Sequence, residues 1–264
     1  MSQDWQQEEQ PTPSENSGCA SGIDRLVHGI SRHWLALFNM LVAIYIALPV
    51  LAPVLMHAGA TTPARVIYTI YSPLCHQMAS RSFFLFGEQT AYPRAIAGTD
   101  LKPIEAYMPS LEAFADASSN PKDWTAFLLA ARRFVGNEQM GYKMALCERD
   151  MAIYTAVLLG GLLYGLLRHR MIIKPLPIWA FLLIGLGPIA LDGFSQLFSQ
   201  YLVVLAPHTV TFLPLRESSP LLRTLTGSLF GFSLVWLTYP HIDAGMQKTE
   251  ADQRRRLQTI DNQS

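Results

Sequence analysis

Hydrophobic positions in this 264-residue chain are gathered into four long runs. Trp34–His57, Met151–Leu167, Leu176–Phe198 and Leu221–Tyr239 are almost uninterrupted apolar segments, each long enough for a hydrocarbon core of about 30 Å. They predict membrane-spanning helices. Pro49 and Pro53 fall in the second half of the first run, where membrane helices tolerate proline at the expense of a kink. A shorter segment, Ala64–Met78, places Val66, Ile67, Ile70, Tyr71 and Leu74 at helical spacing. It is too short to span, and it predicts an interfacial or re-entrant helix.

Between the first two spans lies a polar stretch, 81–146, punctuated by Pro93, Pro103, Pro109 and Pro121. Within it, Asn120-Pro121 reads as a helix start. Trp124, Phe127, Leu128, Ala131 and Val135 form an apolar stripe, and Gly136-Asn137 reads as its end. The expected fold is therefore all-α: an integral membrane bundle of four transmembrane helices with an interfacial helix and a helical extracytoplasmic cap. By this reading 1–23 is a disordered cytoplasmic tail, 24–240 the membrane domain with its cap at 81–146, and 241–264 a polar cytoplasmic tail.

Composition supports the membrane reading. Half the residues are hydrophobic and only 15% are charged, against roughly 25% in soluble domains. Lys+Arg and Asp+Glu are both 20, so the charge balance points to no nucleic-acid partner. Met1–Gly22 lacks the basic start and apolar core of a secretory signal. Arg25 and Arg32, then Arg168, Arg170 and Lys174, then Lys248 and Arg254–Arg256 flank the spans on one side of a four-span topology. The positive-inside rule then puts both termini in the cytoplasm of a cell-membrane protein. Gly161 and Gly165, and Gly227 and Gly231, are four apart, which suits close helix packing in lipid. Those faces leave room for membrane-protein partner subunits as well as lipid.

Charged residues inside spans are costly and are functional candidates by default. Asp192 and Gln196 lie one turn apart in the third span, and Arg223 opens the fourth. In this topology they share an outer-leaflet layer with Cys75, His76, Gln77 and Arg81, with Cys147, Arg149 and Asp150, and with Arg216. Asp192 is expected to touch an arginine, Arg223 first and Arg149 otherwise. Cys75 and Cys147 both face the oxidising side and are disulfide candidates. Cys75, His76, Cys147 and Asp150 are ligand types that zinc accepts, but their spacing is poor, and no metal site is expected. No phosphate loop, nucleophile elbow or His-Glu-x-x-His motif occurs, and no cofactor is indicated.

The segments CHQMASRSFFLFG (75–87), CERDMAIY (147–154), DGFSQ (192–196) and RESSPLLRTLTGSLFG (216–231) together resemble a family of bacterial and archaeal polytopic membrane proteins known only as a domain of unknown function. The resemblance spans roughly 35–239. Many members carry a second cysteine where Asp150 stands, and the segment between Gly87 and Phe134 is longer here. The family implies no activity. The functional expectation is thus a polar outer-leaflet site for a lipid headgroup, a quinone-like molecule or an ion. The alternatives are an enzyme on a lipid-linked substrate, with Asp192 or His76 as acid or base, and a structural subunit of a membrane complex.

Overall fold

The computed structural model describes residues 16–117, 124–205 and 215–261. It is mostly helical, with four helices long and apolar enough to cross a membrane. α1 (Asn16–His57) carries the first span, and Pro49 and Pro53 lie within it without ending it. α2 (Thr61–Tyr71) follows. α3 (Trp124–Arg133) belongs to the cap, and α4 (Glu148–Leu167) is the second span. The third span begins as α5 (Ile178–Ala180), widens into a π-helical segment at Phe181–Leu186, and continues as α6 (Gly187–Leu205). The widened turn sits just before Pro188, which offers no N–H to the preceding turn and whose ring crowds the carbonyl there. α7 (Pro220–Asp261) is the fourth span.

The chain divides into two compact units, Met1–Leu37 with His241–Ser264, and Phe38–Pro240. In the first, the Trp34 indole donates to Asp243 at 3.0 Å. Helix reaches from Asn16 and to Asp261, covering ground that the sequence pattern assigned to tails. Residues 1–15 and 262–264 lie outside the described residues.

In the second unit α4 packs closely on α7. A Cβ on Gly227 would meet the carbonyl oxygen of Arg149, and one on Gly231 that of Ile153. Only glycine permits this approach, as the four-residue spacing predicted. α2 buries Ala64, Ile67, Tyr68 and Tyr71, against Ala52 of α1 and against Ala145, Leu146 and Met151. Val66 and Ile70 on its other face are exposed. That exposed face mixes Val66 and Ile70 with Arg65 and Thr69, as suits a helix at a membrane interface.

The cap is not wholly helical. Short 3-10 turns between Ala79 and Phe114 accompany α3, and a three-stranded antiparallel sheet runs in the order β1-β3-β2. Its strands are β1 (Ser82–Leu85), β2 (Gly136–Asn137) and β3 (Gly141–Cys147). Gly136-Asn137, expected to end a helix, is thus a strand; α3 stops at Arg133. The Asn120-Pro121 start lies outside the described residues. Phe127 and Ala131 are buried as the stripe predicted, among Phe84, Tyr92, Ile104, Tyr107, Phe114 and Met140. Arg94 is buried there too, 4.3 Å above the Phe127 ring and paired with Glu105 at 3.1 Å.

Lys143 in β3 ties the cap to the loop after α2. Its Nζ donates to the carbonyls of Gln77 at 2.6 Å, Arg132 at 2.8 Å and Ala131 at 3.3 Å. Two of those carbonyls lie in the last turn of α3, where helices leave acceptors unfilled. Burial pushes the Lys143 ammonium down to about 7. Gln77, whose carbonyl it holds, has a left-handed backbone at φ 50°. Its side chain donates to the Tyr68 carbonyl at 2.9 Å. Such strained, over-held residues cluster at functional sites.

Candidate functional site

Four segments meet at the cap end of the bundle. Cys147 closes β3 and is the N-cap of α4, so Arg149 and Asp150 fall in that helix's first turn. The loop after α2 supplies Cys75, His76 and Gln77, and the 3-10 turn Ala79–Arg81 supplies Ser80 and Arg81. α6 supplies Asp192 and Gln196. The strand-like lead-in to α7 supplies Arg216, Glu217 and Ser218, and the first turn of α7 supplies Arg223.

The charges sort into two groups. Asp192 is buried and is held from both sides. Arg149 Nη2 donates to its Oδ2, and Arg216 Nη2 and Ser218 Oγ donate to its Oδ1, the Arg216 bond at 2.9 Å. Arg216 also donates to the Asp192 carbonyl at 3.2 Å and to Ser195 Oγ. The expectation that Arg223 would be the first partner of Asp192 is corrected. Arg149, the second choice, is there, and Arg216 takes the other flank. Arg223 is drawn elsewhere, donating to Glu148 Oε2 at 3.1 Å, to Glu217 Oε1 at 2.8 Å and to the Ser80 carbonyl at 3.3 Å. Arg81 Nε shares Glu217 at 2.8 Å. Two acids that open or precede a helix therefore reach Arg223 before the mid-helix Asp192 does.

A cavity of about 290 Å³ lies beside these groups. Its wall includes Cys75, His76, Gln77, Arg81, Cys147, Arg149, Asp150, Gln196 and Arg223. All the site residues named from sequence are on it except Asp192 and Arg216, which stand behind Arg149. Two buried donor atoms of wall residues, Arg149 Nε and Gln196 Nε2, have no hydrogen-bond partner among the described residues. Buried polar atoms are rarely left so.

Cys75 and Cys147 are free thiols. The Cys147 amide donates to Cys75 Sγ at 3.3 Å. Donor atoms of Cys75, Cys147 and Asp150 lie within 4.8 Å of one another. Hydrogen bonding between the two side chains holds the Cys75 thiol below its ordinary value and, with burial, raises Cys147 well above it. His76 lies exposed on the cavity wall. The sequence pattern did not single out Glu148, Glu217, Ser218 or Lys143. The first three stood inside the motifs CERD and RESS, next to the residues that were named.

Comparison with known proteins agrees that this is a membrane protein. The chain is similar to an uncharacterized protein, MJ1492, of Methanocaldococcus jannaschii, 27% identical over 195 residues, covering 72% of this chain and 80% of that protein. No solved structure matches. The family DUF2085, described as a predicted membrane protein, matches residues 138–237. That segment holds Cys147, Arg149, Asp150, Asp192, Gln196, Arg216 and Arg223, whereas Cys75 to Arg81 precede it. Over the stretch that builds most of this site, the chain is therefore similar to DUF2085, a family of predicted membrane proteins.

Proposed function

We propose that the cavity binds the anionic, oxygen-rich head of a membrane amphiphile, a phosphate-bearing lipid headgroup, at the outer leaflet of the cell membrane. The observation that carries this reading is the pair of unpartnered buried donors, Arg149 Nε and Gln196 Nε2, on a wall where Arg81 and Arg149 remain partly exposed. Buried donors without acceptors call for a ligand that brings acceptors, and guanidinium groups suit phosphate oxygens. The N-terminus of α4, whose first turn lines the cavity, favours negative charge as well.

A second observation favours an amphiphile over a free anion. An apolar groove of about 640 Å³ runs along α1 from Ala43 to Val54 and along α4 at Met151 and Thr155. Met151 and Thr155 lie one and two turns below Cys147 on the same face of α4. A headgroup in the cavity would leave an acyl chain beside that groove. The acceptor carbonyls of a quinone-like head would use the same donors. An acid–base enzyme is less favoured, because both oxygens of Asp192 already accept from partners. A purely structural role is disfavoured by the unfilled donors. The basic residues beside the spans support a topology with both termini cytoplasmic.

The test uses the full chain in bilayer nanodiscs of neutral lipid, with and without an anionic phospholipid. Binding stabilises the folded state in proportion to RT ln(1 + [L]/Kd). The wild-type chain is expected to unfold at a higher temperature with the anionic lipid, and an Arg149→Gln/Gln196→Leu variant to lose that increment. Equal increments in both, or none in the wild type, reject the reading.

A further inference from the structure

We infer that Cys75, Cys147 and Asp150 form an open metal site for a thiophilic divalent cation of the Zn2+ class, on the wall of this cavity. The inference rests on the cavity being a ligand site, but it uses none of its arginines. Two separate segments deliver the ligands. Cys75 comes from the loop after α2; Cys147 and Asp150 come from the start of α4, three residues apart and so on one side of the helix. Their donor atoms already lie within 4.8 Å of one another. Tetrahedral zinc, with bonds of about 2.0–2.3 Å, sets neighbouring ligand atoms about 3.5–3.8 Å apart. Side-chain rotation covers that difference, without backbone movement.

The surroundings suit thiolates. The Cys147 amide already donates to Cys75 Sγ at 3.3 Å. Both cysteines are beside the positive end of the α4 macrodipole. The loop bearing Cys75 is held from behind by Lys143 on the Gln77 carbonyl and by the Gln77 side chain on Tyr68. A ligand loop pinned on two sides is the support that metal sites need.

All three ligand residues line the cavity, and so do His76 and Gln196. Three protein ligands with a fourth position facing a cavity is the arrangement of zinc sites that keep a place for water or substrate. In this arrangement the cation takes its fourth ligand from the cavity, as water or as an oxygen of the bound head. Loading converts two thiols to thiolates and releases two protons to solvent. Soft sulfur ligands select zinc over magnesium or calcium.

The experiment uses the full chain purified in detergent under reducing conditions, stripped with chelator and reloaded with ZnCl2 or CoCl2. One metal ion per chain should survive desalting, and the cobalt form should show a thiolate-to-cobalt charge-transfer band. Cys147→Ser and Asp150→Asn should each weaken retention by about tenfold or more. The cobalt band of the unaltered chain decides the matter if a variant fails to fold. The inference is overturned if no such band appears and both thiols titrate as free. It is equally overturned if the chain purified without reductant carries a Cys75–Cys147 disulfide, two hydrogens lighter by intact mass, or if the variants hold metal as well as the wild type. Arg149→Gln/Gln196→Leu should keep the metal while losing the response to anionic lipid. Failure of one reading is thus distinguishable from failure of the other.

Discussion

Two arginine–carboxylate groups stand side by side at the cap end of the bundle, and they are built differently. Around Arg223 the arginine and both of its carboxylates are buried. The arginine side chain is 3% exposed, Glu148 and Glu217 are fully buried, and the arginine also donates to the Ser80 backbone carbonyl. Around Asp192 the carboxylate, at 3%, and its Ser218 partner are buried. Its arginines remain partly open, Arg149 at 23% and Arg216 at 37%. The buried group uses its arginine to hold three segments together, with Glu148 Oε1 left without a partner among the described residues. An open one keeps its carboxylate fixed while one of its cations, Arg149, still lines a cavity. The same residue types thus act as a clasp in one place and as a rim in the other.

The largest effect should come from breaking the clasp. Arg223→Met leaves Glu148 and Glu217 buried beside each other with only Arg81 near. Stranding a buried charge in this way costs roughly 3–5 kcal/mol, and thermal unfolding in detergent should read it directly. If the variant is as stable as the wild type, the closed group is not a clasp.

Lys143 makes a third case, a buried cation held only by carbonyls. Lys143→Met takes the donor from three carbonyls but also removes a buried ammonium whose desolvation opposes folding, so the net loss should be about 1–3 kcal/mol. Its pH dependence has a definite sign. The folded value is about 7 and the unfolded value about 10.5. Between those limits the unfolded chain binds a proton that the folded chain does not, so stability should rise with pH across that window. It should be flat, from this group, below about 7. Thermal unfolding of wild type against Lys143→Met across pH 6–10 isolates the contribution; a slope that survives the substitution belongs to another group.

Asp192→Asn should cost less than Arg223→Met, on the order of 1–2 kcal/mol. The two arginines it releases can turn to water, and partly exposed pairs contribute little. A loss as large as that of Arg223→Met would erase the distinction between the groups. Smallest of all in stability should be Gln196→Leu, which removes an unpartnered donor; its effect should appear in ligand binding.

Much of this was legible in the chain. Four apolar runs, basic flanks and glycines four apart specify spans and packing, because lipid imposes length and tolerates no unpaired backbone. That topology also brings Cys75, Arg149, Asp192 and Arg223 to one layer. The pairing within the layer was not legible. Which acid Arg223 reaches depends on ångström-scale placement of Glu148 and Glu217, and both read as ordinary charges flanking a span. β1 and β3 were hidden for another reason. They are short, and Lys143 puts a charge at a buried position, which breaks the alternation by which strands are recognised. Helix beyond the apolar runs, Asn16 onward in α1 and as far as Asp261 in α7, follows polar sequence that carries no such periodic signal.

The central claim is that the open group borders a ligand site. The most direct measurement is an experimental density map of the full chain in nanodiscs containing an anionic phospholipid. Headgroup density within hydrogen-bond reach of Arg149 Nε and Gln196 Nε2, with the Arg223 clasp unchanged, is the predicted result. A cavity filled only by water, with Arg149 and Gln196 satisfied by neighbouring protein atoms, would contradict it.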